Sequence, residues 1–104
     1  MQVIYEITVT VETALYDAFE GYMMGRHIPD VLSSGAFSSA VFSRSAPGRY
    51  RIRYEAVSRA ALDNYLERDA ARLRADFLSN FPAGVNVERE EWEILQVFHA
   101  PRVS

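Results

Sequence analysis

The sequence repeats one order of elements twice along its 104 residues: an extended run, a helical stretch and a second extended run. Alternating apolar positions predict strands, and apolar positions three or four residues apart predict helices. The full order, strand, helix, strand, strand, helix, strand, is typical of a two-layer α+β sandwich with both helices on one face of the sheet. The predicted strands cover residues 3–11, 37–44, 49–56 and 85–98, and the predicted helices cover residues 14–32 and 59–80.

The short connections between these elements restrict the topology of the sheet. Right-handed crossovers favour the ferredoxin-like βαββαβ arrangement, with sheet order 4-1-3-2. Strands one and three then lie side by side in the centre, and one sheet face carries no helix. The chain length predicts a single domain over residues 1–104.

Several local signals predict where the helices begin and bend. Thr13 and Ser58 are suitable N-cap residues for the first and second helix. Gly25 weakens the first helix, and the second is long enough to predict a bend near Asp69. The pair Pro47-Gly48 predicts a type II turn between strands two and three.

The last predicted strand changes the phase of its apolar residues. A strand has a period of two residues, so the change predicts either a bulge or a new packing partner near Glu90 and Glu91. The odd-numbered apolar positions are Val85 and Val87, and the even-numbered ones are Trp92, Ile94 and Phe98.

Composition argues against several classes of function. The formal net charge of −3 provides no basic field for nucleic acid or an anionic membrane surface. The chain has no cysteine, which rules out disulfides and thiolate metal sites and is compatible with a reducing cytoplasm. No apolar run approaches the roughly 18 residues of a membrane span. We therefore expect a cytoplasmic protein without nucleic-acid or membrane partners.

The sheet face away from the helices carries the first group of candidate site residues. Glu6 and Thr8 on strand one would lie beside Arg51 and Arg53 on strand three. A sheet face this polar is typical of the wall of a partly wet cavity. We predict that a second copy of the chain closes this cavity, so that the two chains form a homodimeric α/β barrel. Glu6 and the arginines could fix a ligand by charge-assisted hydrogen bonds. The alternative is a structural ion pair in the barrel or at the dimer seam.

His27 is the second candidate, because imidazole titrates near neutral pH and Asp30, three residues away, could orient it. Its catalytic use and a structural role, a hydrogen bond to the backbone before Pro29, both remain open. His99 is the only other histidine, and neither has the spacing of a metal site. We expect no metal and no cofactor.

Short segments distributed over nearly the whole chain carry a resemblance to a known family. The sequence resembles a small family of unknown function in the dimeric α/β-barrel superfamily, which implies a ferredoxin-like fold and a homodimer. Relatives in that superfamily include cofactor-independent monooxygenases that make polyketide quinones, muconolactone isomerases and haem-degrading enzymes. The resemblance is carried by residues 5–9, 27–30, 35–37, 50–54, 58–62, 65–66, 71–76 and 81.

Three functions are compatible with these features. The leading hypothesis is a homodimer that binds a small, partly apolar molecule in its interior or serves as a structural or regulatory dimer. The second is a cofactor-independent monooxygenase or isomerase, in which His27 or Glu6 abstracts a proton and Arg53 steadies the resulting oxyanion. The third is a protein interaction module that uses the open sheet face or the end of strand four.

Overall fold

The strands and helices follow the order predicted from the sequence. The protein is represented by a computed structural model that describes residues 2–102. A 3₁₀ turn at Thr13–Leu15 opens the first helical region, and a π-helical segment at Met23–His27 divides it. The strands are β1 (Val3–Val11), β2 (Phe37–Ala46), β3 (Arg49–Ala56) and β4 (Val85–Glu93), and the helices are α1 (Tyr16–Tyr22), α2 (Ile28–Leu32), α3 (Arg59–Arg68) and α4 (Ala70–Asn80).

The four strands form one antiparallel sheet in the order β2-β3-β1-β4. This is the predicted order 4-1-3-2 read from the other edge, so the ferredoxin-like α+β fold is confirmed. β2 runs two residues further than predicted, to Ala46, and its pairing with β3 shifts register between Arg44 and Ala46. Gly48 follows in the turn with a φ of 79°, which suits the third position of a type II turn.

The hydrophobic core lies between the sheet and the helices. On β1 the side chains of Val3, Tyr5 and Val9 are buried on this face. Phe19 of α1 has no exposed surface, and its ring centroid lies 4.9 Å from that of Tyr50 on β3. Aromatic side chains from both helical regions and from the sheet therefore fill the layer between them.

Two predicted features of the helix ends are confirmed and one is wrong. Ser58 caps α3, since its hydroxyl oxygen accepts a hydrogen bond from the Ala61 amide at 3.0 Å. The break between α3 and α4 falls at Asp69, where φ is −111°. Thr13 does not cap α1: the 3₁₀ turn begins there, and Glu12 precedes it without a side-chain cap. Over residues 2–102, no helix has the length and apolar character to cross a membrane.

β4 is shorter than predicted. Its register with β1 is unbroken from Val85 to Glu93, and one further bond runs from the Ile94 amide to the Gln2 carbonyl at 2.8 Å. Beyond that point β1 offers no partner, so residues 94–102 form neither strand nor helix. The phase change is a change of packing partner rather than a bulge: Val87 faces the helices, whereas Trp92 lies on the open face.

Candidate functional site

A small cavity lies between the helices and the sheet, at the end of the core nearest β4. Its volume is about 40 Å³, enough for water-sized molecules. Most of its wall is aliphatic or aromatic, with histidine, tyrosine and arginine side chains at a few points. The lining residues are Tyr5, Ile7, Val9, Met23, His27, Val31, Ile52, Tyr54, Tyr65, Leu73, Arg74, Phe77, Val87 and Arg89.

The π-helical segment brings His27 and Met23 to the wall of this cavity. Single π-helical turns within α-helices are frequent at functional sites. The His27 ring stacks on Tyr22, with centroids 5.8 Å apart, and meets Phe77 edge-on at 5.7 Å. Its Nδ1 atom is buried and has no hydrogen-bond partner. A buried polar atom left unpaired is costly, which makes Nδ1 a candidate contact for a ligand or a water molecule.

The surroundings of His27 favour the neutral imidazole. Burial lowers its pKa below the ordinary value, while the nearby carboxylates of Asp76 and Asp30 act in the opposite direction and Arg89 lowers it further. Asp30 therefore acts on His27 through its charge, and Nδ1 bonds neither Asp30 nor the backbone. A neutral imidazole in an apolar wall can accept a proton or a hydrogen bond near pH 7.

Two arginines and a tyrosine supply the polar part of the cavity. Nη2 of Arg74 on α4 donates a hydrogen bond to the hydroxyl oxygen of Tyr5 on β1 at 2.8 Å. Arg89 on β4 lies opposite Ile7 in the sheet register, so it points to the helix side. The Arg89 side chain lines the cavity, and the residue is also exposed to solvent, so it lies at the mouth of the cavity. Sequence reasoning missed both arginines, although the odd-numbered phase of Val85 and Val87 continues to Arg89.

The buried tyrosines around the cavity remain protonated. Burial raises the pKa of Tyr65 to about 12, and it also raises the pKa of Tyr54. Both rings pack in one cluster with Tyr5 and Phe37, with the Phe37 centroid 5.0 Å from each. These phenols are available as hydrogen-bond donors rather than as bases near neutral pH.

The open face of the sheet brings the other candidate residues together. Oε1 of Glu6 lies 3.7 Å from Nε of Arg51 and 3.6 Å from Nε of Arg53. These distances are too long for good hydrogen bonds, so the pairs are loose. Oε2 of Glu6 accepts a hydrogen bond from Nε1 of Trp92 at 3.1 Å. Thr8 and Arg51 line a shallow open depression of about 560 Å³ beside Glu6.

The sheet separates the five residues selected from the sequence into two groups. Glu6, Thr8, Arg51 and Arg53 lie on the open face, whereas His27 lies on the helix side. Arg53 therefore cannot steady an oxyanion formed beside His27. Across residues 2–102 no three histidine, aspartate or glutamate side chains meet to hold a metal ion. His99 lies in the exposed segment after β4.

Solved structures share this fold over almost their whole length. A candidate antibiotic biosynthesis monooxygenase from Deinococcus radiodurans is 13% identical, covers 96% of this chain and 99% of its own, and has a TM-score of 0.70. HapK from Hahella chejuensis is 21% identical, with 98% and 100% covered and a TM-score of 0.68. SnoaB from Streptomyces nogalater, a cofactor-independent oxygenase, is 14% identical, with 92% and 95% covered and a TM-score of 0.68. At such identities the similarity shows the fold alone.

Comparison of sequences identifies the family. No curated protein matches the chain. One family, described as Domain of unknown function (DUF4286), matches residues 2–95, which include all four strands and all four helices. This chain is therefore a member of the DUF4286 family, and it has the ferredoxin-like fold of the solved structures it resembles.

Proposed function

We propose that the protein binds a small, partly apolar molecule in the cavity between its helices and its sheet. The observation that carries this proposal is the buried, unpartnered Nδ1 atom of His27 in a largely aromatic and aliphatic wall. Small-molecule sites combine such an apolar lining with a few convergent polar groups. Arg74 and Arg89 provide the other polar groups at the same wall.

The present volume of about 40 Å³ is far below that of an occupied ligand pocket, about 300–1,000 Å³. Binding would therefore require lining side chains or the segment Met23–His27 to move outward. Within that segment, Gly25 carries no side chain and faces open space, so no side-chain packing at that position opposes such a movement. The site we propose is one that opens around its ligand.

Blocking the cavity tests the proposal. Native mass spectrometry of the protein purified from its own host would show a retained molecule, and thermal shift with 2-naphthol would provide a defined apolar probe. Val87→Phe fills the cavity from β4 and should abolish the shift. Val57→Phe adds the same ring at an exposed position, with 61% of Val57 accessible, and should leave the shift unchanged. Equal shifts for both variants would contradict an interior site.

We also propose that the protein is a homodimer whose open sheet faces meet, and that it acts in the cytoplasm. Nε of Arg53 on that face is buried without a hydrogen-bond partner in the chain, and a second copy could provide one. Val41 is 58% exposed and Trp92 is 48% exposed on the same face. Burying these apolar side chains would add hydrophobic stabilisation to the pairing.

A second candidate function, proton abstraction from an activated carbon, is favoured by the neutral state of His27. The imidazole would take the proton and leave an enolate. Arg74, which lines the same cavity, would then stabilise the enolate oxygen in place of Arg53, which does not line it. Returning the proton to another carbon gives an isomerase; reaction of the carbanion with dioxygen gives a cofactor-independent oxygenase. The fold shared with SnoaB supports this alternative.

Deuterium exchange separates the enzyme from the binder. Anthrone offers an activated methylene, whose exchange in D₂O and whose consumption of dioxygen can both be followed. An enzyme should accelerate at least one of these, and His27→Gln should remove the acceleration. Binding of anthrone without any acceleration would leave the binding function and reject the catalytic one.

A further inference from the structure

Two guanidinium groups from different elements meet at one end of the interior cavity. Arg74 projects from α4 and is half-buried, and its Nη2 atom donates a hydrogen bond to Tyr5 at 2.8 Å. Arg89 projects from β4 at the mouth of the cavity. Both line the same space as His27, so this end of an otherwise apolar pocket is positively charged.

Neither guanidinium has a carboxylate partner within residues 2–102, which distinguishes the pair from most of the other arginines. Unpaired like charges close together repel, and the proximity of Arg74, added to burial, lowers the pKa of Arg89. A bound anion would relieve that repulsion. The arginines that do lie within 4.0 Å of a carboxylate are Arg26, Arg44, Arg51, Arg53, Arg59 and Arg72.

We propose that the molecule bound in this cavity carries an anionic group, a carboxylate, phenolate or enolate, held by Arg74 and Arg89 with its apolar body towards Phe77 and Met23. This inference rests on the proposed binding function and specifies its ligand class. Guanidinium groups bind carboxylates through paired, charge-assisted hydrogen bonds, which are stronger than neutral ones. Tyr5 holds Arg74 in place for this contact, because its hydroxyl oxygen accepts a hydrogen bond from Nη2 of Arg74.

A matched pair of probes tests the charge directly. 2-Naphthoate and 2-naphthamide have nearly the same shape, but only the first is anionic at pH 7.5. Isothermal titration calorimetry should show that the naphthoate binds more tightly by about tenfold or more. Its affinity should fall as sodium chloride is raised, since salt screens a charge at the cavity mouth, while that of the amide should stay constant.

Substitution of the arginines shows which side chains cause the preference for naphthoate over naphthamide. Arg74→Met and Arg89→Met should each weaken naphthoate binding by about tenfold and leave naphthamide binding nearly unchanged. Arg72→Met is the control on α4, because the Arg72 side chain is 70% exposed and pairs with Asp69 at 3.5 Å outside the cavity. Circular dichroism checks that each variant is folded. If Arg74→Met does not fold, Arg89→Met and the salt dependence decide the question.

The outcomes distinguish this inference from the function on which it rests. Equal affinities for the two probes, or a preference that survives Arg89→Met, would overturn the anionic ligand class while the binding site stands. Failure of both probes to bind would reject the proposed pocket, and with it this inference. If Arg72→Met also abolished the preference for naphthoate, that preference would arise from general surface charge. This result would equally overturn the assignment of the anion site to Arg74 and Arg89.

Discussion

Nε1 of Trp92 donates a hydrogen bond to Oε2 of Glu6 at 3.1 Å, joining β4 to β1 on the sheet face without helices. Trp92 is the only tryptophan in the chain, so it reports on this face alone. Its indole is half-exposed, and Glu6 beside it is only loosely paired with Arg51 and Arg53. The face therefore offers both an apolar surface and unsatisfied polar groups to a partner.

We predict that a charge placed on the open face dissociates the homodimer. Val41→Asp puts a carboxylate at a position that a second copy would cover, and burying it unpaired is unfavourable. Light scattering should give twice the mass of one chain for the native protein and a single-chain mass for the variant. The Trp92 emission should shift to longer wavelength at the same time, as water reaches the indole.

Leu78→Asp is the control for that experiment, because Leu78 is 58% exposed on α4, on the helix side of the sheet and away from the open face. It should remain dimeric. A native protein that scatters as one chain at micromolar concentration would refute the dimer.

We predict that Phe19→Ala destabilises the fold more than any substitution on the helix surface. Phe19 is completely buried and packs on four aromatic rings, Phe42, Tyr50, Phe77 and Phe81. Replacing it should cost about 3–5 kcal/mol of unfolding free energy, since truncation leaves a cavity. Leu78→Ala on α4, 58% exposed, should change it by less than about 0.5 kcal/mol. Similar urea midpoints for the two variants would contradict this description of the core.

We predict that His27 makes the protein less stable in acid. Its folded-state pKa lies below the ordinary value of about 6.5, so the unfolded chain takes up the proton first as pH falls. The stability associated with the neutral ring is complete above about pH 6.5 and declines as pH falls towards the folded-state pKa. Burial of the ring, and then the charges of Asp76, Asp30 and Arg89 around it, set the folded-state pKa at which that decline ends.

Urea unfolding at pH 7.5 and pH 5.5 checks this prediction. His27→Gln should lose less stability between the two values than the native protein, because glutamine does not titrate. His99→Gln, at an exposed position in the segment after β4, should behave like the native protein. Identical pH dependence in all three proteins would show that His27 does not titrate differently on folding.

We predict opposite effects of alanine at two glycines. Gly25 lies in the π-helical segment with no heavy atom near a Cβ position, so Gly25→Ala should stabilise the fold by up to about 1 kcal/mol. Gly48 has a φ of 79°, and a Cβ atom there would lie 2.7 Å from the Val11 carbonyl oxygen. Gly48→Ala should therefore cost more than about 1 kcal/mol. Thermal or urea unfolding gives both values, and equal effects would refute the assigned turn.

The fold could be predicted because the apolar periods of the sequence agree with its capping and turn residues. The cap at Ser58 and the bounds of β1 and β3 follow from such local signals, and the break at Asp69 follows from the length of the helical run, which exceeds that of a strand. The end of β4 could not be predicted in this way. It depends on where β1 runs out of partners, which is a property of pairing between residues far apart in the sequence.

The candidate site was only partly accessible to sequence reasoning. His27 stands out by its chemistry, and Glu6 with Arg51 and Arg53 by the topology of adjacent strands. Arg89 lies in the acidic run after Asn86; it continues the odd-numbered phase of Val85 and Val87, and its pairing with Ile7 shows that it faces the helices. The cavity itself depends on how side chains from three strands and four helical segments pack, which no local pattern records.

The π-helical segment sets which side chains of the first helical region face the core. Phe19 and Val31 are both buried, yet they are twelve positions apart. On an uninterrupted α-helix, at about 100° per residue, they would point about 120° away from each other. The π turn absorbs one residue and returns them to the same side. A regular α-helix with one residue fewer between Phe19 and Val31 would present the same two side chains to the core, so what the extra residue adds is the position of His27 at the cavity wall.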